Sequence, residues 1–184
     1  MTTFNKRSAA NGQASFVPFS IKKMAAASAL MAGMALAPAA MADMYFGVNA
    51  GPMMFDGASY DDPVNAGVLI GKEWGVVAGD IGVQAEFTTT INEGTYLSFT
   101  APYIHDVSIN TQAIYGAFRT AGPIYVIGKL GLLRHEIEVG PYSESDSGLA
   151  GGVGIGFSVG VAQLELEYTQ VEEDVGYLSL GVRF

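Results

Sequence analysis

Val175-Gly176-Tyr177-Leu178-Ser179-Leu180-Gly181-Val182-Arg183-Phe184 alternates in chemical character from one residue to the next. Successive side chains on an extended strand point to opposite faces. Counted back from Phe184, one face carries Phe184, Val182, Leu180 and Leu178, all apolar. The other carries Arg183, Gly181, Ser179 and Tyr177. A period of two with two such different faces describes a strand between two environments.

Seven more segments of this kind precede it, at about 44–51, 66–74, 81–89, 107–119, 124–136, 149–159 and 161–170. None shows a helical period. The connections alternate in length: 52–65 is long and 75–80 short, 90–106 is long and 121–123 tight. Then 137–148 is long, almost nothing separates two segments at Gly160, and 171–174 comes last. Short turns on one rim and longer loops on the other belong to membrane-spanning barrels, whose strands need about 9–11 residues.

Alternation alone does not say which face looks inward, because a soluble barrel hides its apolar set and a membrane barrel displays it. The opposite faces decide. In the sixth segment Leu149, Gly151, Val153, Ile155, Phe157 and Val159 oppose Ala150, Gly152, Gly154, Gly156 and Ser158. In the seventh, Ala162, Leu164, Leu166 and Tyr168 oppose Gln163, Glu165, Glu167 and Thr169; in the third, Val83, Ala85 and Phe87 oppose Gly82, Gln84, Glu86 and Thr88. Runs of glycine weaken a strand and make a poor water-facing surface. They suit a narrow lumen in which large side chains from across it need room. The apolar set is therefore expected to face lipid. Trp74, Phe184 and Tyr125 are expected to form an aromatic girdle at the turn rim, with Phe87 and Tyr168 towards the loop rim.

The closing strand resembles that of bacterial outer-membrane β-barrels, and residues 43–184 as a whole resemble the small OmpA/OmpX-like barrel group. The resemblance implies an all-β, eight-stranded antiparallel up-and-down transmembrane β-barrel in the bacterial outer membrane, its turns periplasmic. It implies that Phe184, with Leu178, Leu180 and Val182, is the signal read by the barrel-assembly machinery. It further implies outer-membrane lipid and lipopolysaccharide around the barrel and an extracellular ligand or host surface as partner. Because the sequence stops with the barrel, the peptidoglycan-binding module of full-length OmpA-type proteins is expected to be missing.

The first 42 residues read as a cleaved secretory signal peptide. Lys22 and Lys23 precede an apolar run from Met24 to about Leu36, which ends in Ala40-Met41-Ala42. Removing these 42 of 184 residues leaves 142, with five of the nine basic residues and all 18 acidic ones, a net charge of −13. So acidic a domain is not built to bind nucleic acid, which needs clustered Lys and Arg. With no cysteine in the chain, stability must come from packing, ladder hydrogen bonds and membrane insertion.

Lys129 and Arg183 are expected to meet Glu86, Glu165 and Glu167 in an ion network plugging the lumen. A nucleophile, its base and an orienting acid must lie within hydrogen-bond reach. His105 and Ser108 are three apart and so on opposite faces of a strand, while His135 reads as an ordinary rim histidine near Glu136 and Ser143, Ser145 and Ser147. Nothing requires these to converge, so no catalytic residue and no cofactor is expected. The loops are acidic, with Asp56, Asp61, Asp62, Glu93, Asp106, Glu138, Glu144, Asp146 and Glu172-Glu173-Asp174. Their spacing fits no EF-hand loop, and no dedicated metal site is expected. The reading is a non-enzymatic structural, adhesive or surface-interaction protein; a narrow porin-like channel for small solutes and a lipid A-modifying enzyme stay open as alternatives.

Overall fold

The computed structural model describes residues 44–55, 60–97, 104–139 and 142–184. The signal-peptide segment, Asp56 and the side chain of His105 lie outside the described residues.

The strands are β1 (Met44–Phe55), β2 (Tyr60–Asp61), β3 (Val64–Val76), β4 (Gly79–Asn92), β5 (Gly94–Leu97), β6 (Ile104–Thr120), β7 (Ile124–Val139), β8 (Tyr142–Val159), β9 (Ala162–Glu172) and β10 (Val175–Arg183). All pairings are antiparallel. The sheet runs β6-β4-β3-β1-β10-β9-β8-β7 and closes through β6–β7, which makes an eight-stranded up-and-down barrel. Closure removes the sheet edges that an open array would leave unpaired. The two short extra strands sit on the loop side: β5 takes up pairing with β6 at Gly94↔Val107 where β4 leaves off at Thr88↔Thr111, and β2 pairs with β5.

The seam joins first strand to last. Phe46 N–H donates to the Phe184 carbonyl (3.1 Å) and Phe184 N–H to the Phe46 carbonyl (2.8 Å), and their rings stack with centroids 5.6 Å apart.

The side-chain faces are those of a membrane barrel. Ile114 (62% exposed), Leu130 (66%), Leu149 (77%) and Leu180 (61%) stand on the outside. Gln84, Glu86, Lys129, Glu165 and Glu167 are buried on the inside. Inward residues form two tiers. Towards the loop rim lies an apolar cluster that includes Met53, Ile109, Leu133, Val171, Val175 and Tyr177; towards the turn rim lie the charged groups.

The structure corrects several expectations. The segment 137–148 is not a long loop, because β7 and β8 continue through it as a paired hairpin out to Val139↔Tyr142. Likewise Val171 and Glu172 belong to β9, and the connection to β10 is Glu173–Asp174 alone. Polar, serine-rich sequence reads as loop, yet backbone pairing to the neighbouring strand carries β8 on. Tyr125 does not join the girdle. Its parity puts it in the lumen, 4% exposed, whereas Trp74, Phe87, Tyr168 and Phe184 all stand outside. The inward glycines do make room for large side chains, but mostly for those of the adjoining strand. Gly71 is paired with Tyr45, Gly156 with Tyr125 and Gly152 with Lys129, and a Cβ at Gly71 or Gly156 would run into the tyrosine ring.

Candidate functional site

Lumen position follows from strand parity. On β7 the inward residues are Tyr125, Ile127, Lys129, Leu133 and His135; on β9 they are Glu165, Glu167 and Thr169. Lys129 Nζ lies 3.1 Å from Glu86 Oε2 and 2.9 Å from Glu167 Oε2. Its hydrogen bond is to Glu86; with Glu167 the geometry is that of an ion pair, not of a directed hydrogen bond. The ammonium also sits 4.8 Å from the centre of the Tyr115 ring, a favourable place for a cation over a π face.

Nearer the turn rim, Arg183 approaches Glu73 (2.6 Å) and Glu165 (3.3 Å). Arg119 makes hydrogen bonds to Glu73 through Nη1 (2.9 Å) and to Glu165 through Nε (2.9 Å) and Nη2 (3.3 Å). Tyr45 lies between the two guanidinium groups, its ring 5.2 Å from Arg119 and 4.3 Å from Arg183. Tyr125 donates its hydroxyl to Glu165 (2.8 Å).

Gln84 joins the halves. Its Oε1 accepts from Arg119 (3.0 Å) and from the Tyr45 hydroxyl (2.9 Å), and its Nε2 donates to Glu86 (3.1 Å). Asn49 donates to the other oxygen of Glu86 (3.2 Å). Three cations and four carboxylates thus form one connected set on six strands. Buried charges are tolerable when paired and hydrogen-bonded in this way, and removing one partner is strongly destabilising.

The structure brings together all five residues named from sequence as a lumen network: Glu86, Lys129, Glu165, Glu167 and Arg183. Sequence reasoning missed Arg119, Glu73, Gln84 and Tyr45. Parity was the available signal for Arg119, which shares a face with Tyr115 and Ala117 and opposes Ile114 and Phe118. The four residues named for assembly share the outer face of the last strand, with Leu180 and Phe184 exposed and Leu178 and Val182 half-buried.

His135 is not an exposed rim residue: it is 6% exposed in the lumen, Nε2 3.4 Å from Glu172. Ser143 donates instead to Glu136 (3.2 Å) on the outer hairpin. Among the described residues no group of three His, Cys, Asp or Glu side chains could hold a metal ion. The loop rim exposes Asp61, Asp62, Glu93, Asp106, Glu136, Glu138, Glu144, Asp146, Glu172, Glu173 and Asp174, against Arg134 alone among its described basic residues.

No protein-family model and no curated protein sequence matches the chain. Solved structures do. The attachment invasion locus protein Ail of Yersinia pestis, solved in complex with the heparin analogue sucrose octasulfate, is 19% identical with a TM-score of 0.50; the match covers 77% of this chain and 96% of Ail. The outer membrane protein OprG from Pseudomonas aeruginosa is 12% identical with a TM-score of 0.52, over 78% of this chain and 96% of OprG. At these identities the likeness is one of fold, and the fold is that of the small outer-membrane β-barrels.

Proposed function

We propose that this chain is exported by its N-terminal signal and inserted in the bacterial outer membrane, and that it acts there without catalysis as a surface-interaction protein. The observation that carries the reading is the inverted packing. Aliphatic side chains cover the outside, where water would penalise them and lipid would not, while ionic groups fill the inside. Leu178, Leu180, Val182 and Phe184 serve in this reading as the signal for barrel assembly, and the lumen network holds the barrel rigid.

The contact surface is the loop rim, above all the β7–β8 hairpin that extends past the last β8–β9 pair at Gly151↔Gln170. Ail was crystallised with a polysulfated ligand. The rim here is acidic, and like charges disfavour such a ligand. A partner with basic groups fits better. Two tiers of packed side chains support a closed barrel over a narrow channel.

The test has two parts. Outer-membrane fractions run unheated and boiled in detergent should show a mobility shift, since closed barrels resist detergent until boiled. Removing residues 137–144 should then abolish binding to host or partner surfaces while preserving that shift. Conductance of the reconstituted protein above that of empty membranes would replace this reading with the channel.

A further inference from the structure

Three successive turns, β3–β4, β6–β7 and β8–β9, make up an unbroken arc of the turn rim serving six of the eight barrel strands. No charged side chain occurs in Trp74–Gly79, Thr120–Ile124 or Ser158–Gln163. The tips are apolar and uncovered by the rest of the protein: Val77 is fully exposed and Val161 89% exposed. Apolar surface of this continuity, left in water, ordinarily marks a site where something else binds.

The backbone of the arc is tied from turn to turn. Ala121 N–H donates to the Ala78 carbonyl (3.2 Å), and Ser158 N–H to the Pro123 carbonyl (2.9 Å). Val126 N–H donates to the Thr120 hydroxyl oxygen (2.9 Å). Backbone that enters lipid must satisfy its polar groups within the protein, and lateral bonds of this kind do so at a place where turns normally rely on water. The arc is also continuous with the apolar outer belt through Ile81, Ile124 and Val159. Among the described residues the one cation on the outer face nearby, Lys72, lays its ammonium over the Trp74 ring at 5.8 Å, as a lysine does when its stem follows an apolar surface to the headgroups.

We propose that this arc is a lipid-contacting surface, its tips sunk into the headgroup–acyl boundary of the adjacent leaflet, and that phospholipid covers Val77 and Val161. The inference rests on the reading of the outer belt as lipid-facing. It seats the barrel deeper on the turn side than a rim standing in water would allow.

The chain has no cysteine, so single thiols report cleanly. Val77→Cys, Val161→Cys, Leu130→Cys in the mid-belt and Ser145→Cys on the outer hairpin would each be reconstituted in nanodiscs of phosphatidylethanolamine and phosphatidylglycerol. Nanodiscs leave both rims open to reagent. Each variant is first checked for the heat-dependent gel shift, then reacted with a charged, membrane-impermeant maleimide. Because the protein itself leaves Val77 and Val161 uncovered, slow labelling there must come from lipid. Both tips should label about tenfold or more slowly than Ser145→Cys, the protection expected when a valine-sized site leaves water. If either tip labels at the Ser145→Cys rate while Leu130→Cys stays protected, the arc faces water and this inference falls alone. If Leu130→Cys labels at that rate too, the lipid-facing belt falls with it.

Discussion

Arg119 of β6 grips Glu165 of β9 from the far side of the lumen with two hydrogen bonds, Nε to Oε1 at 2.9 Å and Nη2 to Oε2 at 3.3 Å. Two-pronged guanidinium–carboxylate pairs are among the stronger charge-assisted contacts, and they fix direction as well as distance. This pair braces strands that are not neighbours in the sheet, so it resists flattening of the barrel in a way that ladder hydrogen bonds cannot.

Replacing Arg119 by Met should lower unfolding stability by about 3 kcal/mol, the lower end for breaking a buried pair. Arg183 and Tyr125 still reach Glu165, which sets the loss at that end. Urea titration of the refolded protein in detergent, followed by gel shift, measures it. A midpoint unchanged from the parent would mean that the pair is idle.

Lys129 has no understudy, since it alone of the described cations pairs with Glu86 and Glu167. Lys129→Met leaves two carboxylates facing one site, and the loss should reach about 3–5 kcal/mol. Adding Glu86→Gln to that variant should recover part of it by removing one uncompensated charge. Failure of the double variant to recover any stability would show that packing of the lysine stem, not charge, is what Lys129 supplies.

Lys129, Glu165 and Glu167 were legible in sequence because each sits mid-strand in a clean alternation, where parity fixes the face. Tyr125 and Arg119 lie at strand ends beside the tight 121–123 turn, where an aromatic reads as girdle and parity is easily overlooked. Their inward direction still follows from strand parity: Arg119 shares a face with Tyr115 and Ala117, and Tyr125 with Ile127 and Lys129. The outer hairpin failed for a different reason. Ser143, Glu144, Ser145 and Asp146 carry no hydrophobic period, and only their pairing with β7 makes them a strand. His135 lies within the fifth segment, and its parity with Lys129 and Leu133 is what turns it into the lumen.

Glycines on the two faces should respond oppositely to substitution. A Cβ at Gly156 meets the Tyr125 ring, so Gly156→Val should displace that ring, disturb its bond to Glu165 and destabilise by about 1–3 kcal/mol, as overpacking does. Gly128, on the outside, has nothing within 4 Å of an added Cβ, and Gly128→Ala should be neutral or slightly stabilising. Thermal unfolding by circular dichroism separates them; equal losses at both would mean the lumen adapts freely.

Leu130 tests the belt by charge. Leu130→Arg should destabilise the barrel by about 2–4 kcal/mol in lipid vesicles if the residue lies near the midplane. Detergent, which admits water more readily, should reduce the penalty. An equally stable variant in vesicles would place Leu130 outside the bilayer.

Phe184 distinguishes assembly from folding. Its backbone closes the seam with Phe46 and its ring stacks on that of Phe46, but the residue is still 51% exposed. Phe184→Ala keeps both backbone bonds and loses one half-exposed aromatic contact, which is worth about 0.5–1.5 kcal/mol beyond its burial. That is too little to unfold the barrel. In vitro refolding into detergent should therefore proceed nearly as for the parent. In cells the same change should sharply lower the amount of heat-modifiable protein in the outer membrane, because an assembly signal is read as an exposed side chain. Phe46→Ala removes the same stack while leaving Phe184 in place, so it should refold comparably yet assemble normally. If the two variants lose outer-membrane protein to the same extent, the ring stack matters for seam stability and Phe184 carries no separate signal.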